Sequence, residues 1–359
     1  AQPATGPAVF GGILIATIIG VIGFGVLSDP GPERRVSTER SAEAATGRAE
    51  ASADSSTSTS APPVTAPDDG KTAAQRTLSL VDTITDPALR PKSVVASGSG
   101  LFFAQNMMYA HNVAVYNRDL EQVKVIDDEV VPAFFDLPGN SALKGGPVEA
   151  VFTSDGSAAY VSQYKLYGPG QDNPGTDVCT PSGFDDSFVY RIPTDTLEID
   201  QVMPVGPVPK FVAITHDDST LLVSNWCGYD LSIVDTATGK ETRRVDIGRY
   251  PRGIAVAPDD SVAYVTAMGT SDIAIVDLST FEVEWIKDVG QAPRSVALSP
   301  DGKQLFVTLN EEAEVKRIDT ATRKVTGEVV TGNQPRSMVL SDDGTALYVV
   351  NYADDTLSK

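Results

Sequence analysis

Residues 251–266 read PRGIAVAPDDSVAYVT, residues 293–308 read PRSVALSPDGKQLFVT, and residues 335–350 read PRSMVLSDDGTALYVV. Each stretch holds a Pro, a basic residue, an apolar alternating run, an Asp eight residues after the Pro, and a second apolar run. The three prolines lie 42 residues apart, and Pro209 begins a fourth copy at the same spacing. A period of about 40–45 residues that holds several short strands is typical of the blades of a β-propeller.

Two looser copies lie upstream, PVEAVFTSDGSAAYVS from Pro147 and PKSVVASGSGLFFAQ from Pro91. The copy from Pro209 divides into four short apolar runs separated by Asp, Gly, Asn and Ser, as antiparallel strands are. A Pro at the start of a strand removes no ladder hydrogen bond. We therefore predict an all-β propeller of four-stranded blades over residues 76–359, with six blades begun.

The repeats resemble those of the YVTN-repeat β-propellers of bacterial surface and periplasmic proteins. The matching phrases are Tyr264-Val265-Thr266, Tyr348-Val349-Val350-Asn351 and the third-strand phrase SIVDTATGK at 232–240. The resemblance implies a fold, with seven blades in the complete protein, and a binding role. It implies no catalytic residues, because the shared positions are turn and strand formers.

Both ends of the propeller region predict an incomplete ring. Thr77–Ile84 reads as a lone fourth strand that would complete the last blade. The chain ends two residues into the predicted third strand of the copy from Pro335, so we expect the propeller to be C-terminally incomplete.

The residues before the propeller predict a membrane anchor and a tether. Residues 8–27, AVFGGILIATIIGVIGFGVL, carry no charge and are long enough to span a bilayer as one helix. Residues 1–7 would be a juxtamembrane segment. Residues 28–75 are rich in Ser, Thr, Ala and Pro with few aliphatic residues, which predicts a disordered linker.

Charge and cysteine content bear on partners and location. The chain has 28 Lys and Arg against 48 Asp and Glu, a net charge of −20, which disfavours nucleic-acid binding. Cys179 and Cys227 follow the second strands of adjacent blades, so we predict a disulfide and hence an oxidising compartment. Arg34, Arg35 and Arg40, which follow the apolar stretch, would by themselves place the propeller side in the cytoplasm. We predict a single-pass protein of the cell membrane with its propeller outside the cytoplasm.

Two insertions break the 42-residue period, at about 128–146 and at about 165–186. The first joins a fourth strand to the next first strand, and the second joins a second strand to a third strand. Both kinds of loop emerge on the same face of a propeller, so we expect both insertions and both cysteines on one face. Long loops on a rigid scaffold are frequent binding sites.

The residue after the repeat Pro is basic in five of the six copies. Circular repetition would gather these side chains around the pore mouth on the same face as the insertions, edged by the polar and aromatic residues that follow the second strands. Such a ring suits an anionic ligand or an acidic loop, although each cation could instead pair with a carboxylate of a neighbouring blade. The predicted binding residues are Lys92, Lys210, Arg252, Arg294, Arg336, Tyr164, Asn225, Trp226, Asn351 and Tyr352.

These features favour a non-enzymatic binding module that contacts a protein, a cell-wall polymer or a small anion. One alternative is the sensor domain of a receptor, such as a Ser/Thr kinase. Another is a propeller enzyme of the lactonase or quinoprotein kind. His111 and His216 are the two histidines of the chain, and no spacing matches a metal site or a nucleophile–base pair, so we predict no metal, no cofactor and no catalytic residues.

Overall fold

The computed structural model describes residues 70–80, 82–86, 88–171, 179 and 183–359, together with the backbone of Ile13–Ile15. Six antiparallel sheets follow one another along the chain, and we call them blades I to VI. The predicted all-β propeller of four-stranded blades is confirmed, and it has six blades. The described strands are Ser93–Ala96, Phe102–Asn106, Asn112–Tyr116 and Gln122–Asp127 in blade I; Pro147–Phe152, Ala158–Gln163, Ser187–Pro193 and Gln201–Val205 in blade II; Pro209–Ile214, Thr220–Asn225, Asp230–Asp235 and Lys240–Asp246 in blade III; Pro251–Val256, Val262–Ala267, Asp272–Asp277 and Val283–Ile286 in blade IV; Pro293–Leu298, Gln304–Leu309, Glu314–Asp319 and Lys324–Val330 in blade V; and Pro335–Leu340, Leu347–Asn351 and Thr356–Ser358 in blade VI.

Each blade is a meander in which consecutive strands pair, for example with Ile254 opposite Val265 and Tyr264 opposite Ile275. The core lies between the faces of adjacent blades. Leu222 and Ile233 of blade III, for example, pack in one cluster with Ile254 of blade IV. Because the second strands are covered on both faces, they read as nearly continuous apolar runs, as in Thr220–Asn225 and Val262–Ala267.

The turn that contains the repeat Asp is built in the same way from blade to blade. The Asp217 carboxylate accepts hydrogen bonds from the Thr215 hydroxyl at 2.6 Å and the Ser219 backbone N–H at 2.9 Å. Asp301 and Asp343 make the same pair of bonds in blades V and VI. The repeat Asp is therefore the residue that closes the first hairpin of the blade.

A second recurrent feature lies at the other end of the first strand. The residue before the repeat Pro has a positive φ in four blades, although none of the four is glycine, and these residues are Val208, Tyr250, Ala292 and Gln334. Its carbonyl accepts the N–H of the residue that follows the second strand, as in Trp226 to Val208 at 2.9 Å and Tyr352 to Gln334 at 3.0 Å. This bond fixes Trp226 and Tyr352 beside the start of the innermost strand.

The strand predicted over Thr77–Ile84 does not complete blade VI. Among the described residues of this range, Asp82–Ile84 forms a strand, and it pairs with Ile13–Ile15. Leu80 is 61% exposed, and the partly buried Ile84 packs against the apolar cluster of blade I, so the segment lies beside blade I instead of completing blade VI. The preceding residues do contact blade VI, where the Ala73 N–H donates to Asp343 at 2.7 Å.

The membrane span predicted over residues 8–27 and most of the linker predicted over 28–75 lie outside the described residues. Of the span, Ile13–Ile15 is described, as the short strand above. Across the described ranges, no helix has the length and apolar character that crossing a bilayer requires. The anchor stays a prediction.

Candidate functional site

The first strands of all six blades line one central channel. Its volume is about 500 Å³, which is within the size range of small-molecule sites. Every blade contributes to its wall, with representative residues Val95, Glu149, Ala213, Ile254, Val296 and Met338. Most of the wall is apolar or small, and its charged side chains come mainly from the positions just after the repeat Pro.

Those positions place positive charge at the mouth, the end of the channel where the first strands begin. The basic ring consists of Lys92, Lys210, Arg252, Arg294 and Arg336. The three arginines line the channel. Burial and the charges of the other four members of the ring hold the pKa of Lys92 well below its usual value. Side chains from five blades therefore lie close enough to repel one another, and the predicted ring assembles at one place.

The blades are joined at this level by bonds to the backbone of the ring residues. The Ser224 hydroxyl of blade III donates to the Arg252 carbonyl at 2.7 Å. The Thr266 hydroxyl of blade IV donates to the Arg294 carbonyl at 3.1 Å. A carbonyl is present whatever the side chain is, so these interblade bonds do not require a basic residue.

Lys210 has an aromatic environment. Its ammonium nitrogen lies 4.3 Å from the ring centroid of Tyr164 and 5.4 Å from that of Trp226, and the residue is 2% exposed. Trp226 stacks in turn on Tyr250, with 4.6 Å between centroids. Tyr164 and Trp226, which were predicted as binding residues, therefore contact Lys210 of the basic ring and do not form an open surface.

Arg336 has a similar partner in blade VI. Its guanidinium carbon lies 3.4 Å from the ring centroid of Tyr352, and its Nη2 donates to Gln334 Oε1 at 3.0 Å. Tyr352 was predicted as a binding residue, and it lies beside the mouth as an orienting partner of Arg336. The stacked guanidinium is held in the channel wall.

Asn225 and Asn351 act inside their own blades. The Asn225 amide donates to Asp230 at 2.6 Å and to Ser232 at 2.7 Å. The Asn351 amide donates to two hydroxyls of the third strand of blade VI, at 2.8 and 3.1 Å. Neither amide lines the channel. We therefore assign both to shaping the ends of their blades.

Sequence reasoning missed Glu149, which lies in the channel two residues after Pro147. Burial raises the pKa of its carboxyl from the ordinary 4.5 to about 7, although the Ser93 hydroxyl and the charges of Arg252 and Lys92 act in the opposite direction. The signal was present in the sequence, because Glu149 falls where blades I, V and VI carry Ser. Blade II also lacks a basic residue after its Pro, since Val148 stands there.

The two insertions meet on the face that carries the mouth. Lys144 of the first and Tyr167 of the second exchange two backbone hydrogen bonds, at 2.8 and 2.7 Å. Cys179 and Cys227 form a disulfide with 5.3 Å between their Cα atoms, which confirms that prediction. Tyr164, next to the second insertion, carries the ring that faces Lys210.

The far end of the channel carries acidic turns. The Asp218 carboxylate accepts the Ser154 hydroxyl of blade II at 2.6 Å, and the Asp260 carboxylate accepts the His216 N–H of blade III at 2.8 Å. These bonds join adjacent blades. His216 Nδ1 also lies 2.7 Å from Asp260 Oδ1, so this exposed histidine takes part in an interblade contact.

The described residues contain no cluster of three or more His, Cys, Asp or Glu side chains with a geometry suited to a metal ion. His111 packs edge-on against Tyr167, with 4.5 Å between ring centroids. The channel lining therefore combines three arginines with one carboxyl group, that of Glu149.

No protein-family model and no curated protein sequence matches this chain. Among solved structures, a functionally unknown protein from Desulfotomaculum acetoxidans is similar at 18% identity with a TM-score of 0.50, over 72% of this chain and 77% of that protein. Hydrazine synthase from Kuenenia stuttgartiensis is similar at 15% identity with a TM-score of 0.48, over 73% of this chain and 92% of that one. At this level the likeness to the first protein supports the propeller fold and nothing about function.

Proposed function

We propose that this protein is a non-enzymatic binding module that receives an anionic group at the mouth of its channel. The observation that carries the proposal is the convergence of five basic side chains from five blades in a strongly acidic protein. Arginines held in a partly buried wall present fixed donors to carboxylate or phosphate oxygens. Their attraction for an anion is stronger there than on an open surface, because water screens them less.

We further propose that the propeller lies outside the cytoplasm, held to the membrane by residues 8–27 through a tether. The disulfide supports this location, since disulfides persist in oxidising compartments. The partner at the mouth would then be an acidic loop of another protein, an anionic cell-wall polymer or a small anion.

The test is calorimetric titration of the full chain in detergent at low salt with three probes: citrate, inorganic phosphate and an octaglutamate peptide. We expect at least one probe to bind. We expect Arg252→Ala/Arg294→Ala/Arg336→Ala to weaken that binding by about 100-fold or more, as loss of charged contacts in a desolvated site does.

The matched control is Lys240→Ala/Lys303→Ala/Lys324→Ala. It removes the same charge from positions away from the channel lining, where Lys240 and Lys324 are exposed and the Lys303 side chain is 76% exposed. We expect it to bind within about threefold of the wild type, because screened surface charges contribute little. Absence of binding by all three probes, or equal weakening in both variants, would refute the proposal.

A further inference from the structure

We infer that the mouth takes hydrogen phosphate, an oxyanion that keeps a proton near neutral pH, and that Glu149 accepts a hydrogen bond from its P–OH group. The inference rests on the proposed anion site and names its ligand. It follows from one feature of the channel, a carboxyl group placed among the cations that would attract an anion.

Glu149 is the one acidic side chain among the residues that line the channel in the described part of the chain. The groups around it come from every other blade. Ser93 and Lys92 of blade I and Arg252 of blade IV act on its carboxyl group, and Phe211 of blade III, Arg294 of blade V and Arg336 of blade VI line the channel with it, with His216 of blade III towards the far end. A ligand at the mouth therefore meets the three arginines as donors and Glu149 as the one acidic group of the lining.

A carboxylate and a fully deprotonated anion have acceptors only, so they repel each other at contact distance. They become compatible when one proton lies between them. That proton comes either from solvent, on the Glu149 carboxyl, or from the ligand. Burial already favours the protonated carboxyl, with a pKa of about 7. Above that pH the ligand has to supply the proton.

Three anions of similar size differ in this property. Hydrogen phosphate keeps a P–OH donor throughout the neutral and mildly alkaline range. Sulfate has no proton in that range. A phosphate monoester loses its last proton at a pH of about 6. Glu149 should therefore distinguish free phosphate from both of the others, and the distinction should grow as the pH rises above 7.

The experiment measures the dissociation constants of inorganic phosphate, sulfate and glycerol phosphate with the full chain at pH 6, 7, 8 and 9. For the wild type we expect phosphate to be preferred by a factor that rises about tenfold for each pH unit above 7, because the other two anions require protonated Glu149. At pH 6 we expect the three constants to lie within about threefold of one another.

Two variants isolate the carboxyl group. Glu149→Gln supplies an amide donor of the same size, and Glu149→Ser restores the residue found in blades I, V and VI. In both we expect sulfate to bind at pH 8 at least as tightly as phosphate, with little dependence on pH. Circular dichroism and the Cys179–Cys227 disulfide content would show that each variant is folded.

Equal binding of phosphate and sulfate by the wild type at pH 8 and 9 would overturn the inference, as would a phosphate preference that survives in both variants. Either result leaves the proposed anion site standing if citrate or octaglutamate binds and the triple arginine variant does not. If phosphate, sulfate, glycerol phosphate, citrate and octaglutamate all fail to bind at every pH, the proposed function itself is refuted.

Discussion

Blades IV to VI and blades I to III build the same channel in different ways. Blades IV to VI keep the 42-residue period, and each begins with Pro-Arg. Blades I to III carry both insertions, the disulfide, two lysines in place of arginines, and Glu149. Repetition places like charges around an axis, whereas departures from the repeat introduce single groups such as the Glu149 carboxyl.

The largest effect that we expect comes from removing the disulfide, which lies in blades I to III. We expect Cys179→Ser/Cys227→Ser to lower the free energy of unfolding by about 2–4 kcal/mol, because the bond closes a loop between residues 48 apart. Urea unfolding measures it. Reductant should destabilise the wild type by a similar amount and leave the variant unchanged; a wild type insensitive to reductant would contradict the assignment.

The next effect concerns Glu149 and pH. Its pKa of about 7 in the folded protein exceeds the ordinary 4.5, so the folded state binds more protons and the wild type loses stability as the pH rises from 4.5 to 7. We expect Glu149→Gln to be more stable than the wild type by about 1–3 kcal/mol at pH 8 and equal to it at pH 4.5. Urea unfolding at the two pH values measures it, and a difference independent of pH would show that the carboxyl is not the cause.

A smaller effect tests whether Lys210 is held by its aromatic neighbours. Lys210→Met keeps the length of the side chain but removes the cation between Tyr164 and Trp226, and we expect a loss of about 0.5–2 kcal/mol. Lys210→Arg, which keeps a cation over the rings, is the control and should lose less. Thermal unfolding measures both, and a more stable Met variant would argue that the aromatic rings only cover an apolar stem.

The smallest effect tests whether the Asp-containing turns at the far end of the channel are equally stable in different blades. Hydrogen bonds from Thr215 and Ser219 lower the pKa of Asp217 to about 2, so its stabilising contribution is present above pH 4 and is lost as the pH falls towards 2. We expect Asp217→Asn to lower the unfolding temperature by about 1–3 °C at pH 7 and by nothing near pH 2. Asp259→Asn in blade IV should behave in the same way, because the Ser261 hydroxyl lowers the pKa of Asp259. Calorimetry measures both unfolding temperatures, and unequal decreases would show that blades III and IV differ at this end.

Much of this molecule was predictable because it repeats. A period fixes which residues are equivalent, so the sequence alone places Arg252, Arg294 and Arg336 at one mouth. The disulfide followed from the same reasoning, since Cys179 and Cys227 occupy equivalent ends of adjacent blades.

What the sequence could not supply lies where one residue departs from its equivalents. The significance of Glu149 depends on cations from other blades, and no local pattern shows them. Asn225 and Asn351 recur at a conspicuous position, but their amides are used inside the blade. The prediction that Thr77–Ile84 completes the last blade is wrong, because a local sequence pattern does not show which sheet edge a segment will join.

The hydroxyl-to-carbonyl bonds between blades have a consequence for how such a protein diversifies. Because Ser224 and Thr266 donate to main-chain carbonyls of the next blade, substitutions at positions 252 and 294 leave these two contacts between blades in place. The architecture of the propeller is thereby separated from the chemistry of its mouth, so that a variant such as Arg252→Ala changes the charge there and keeps the fold.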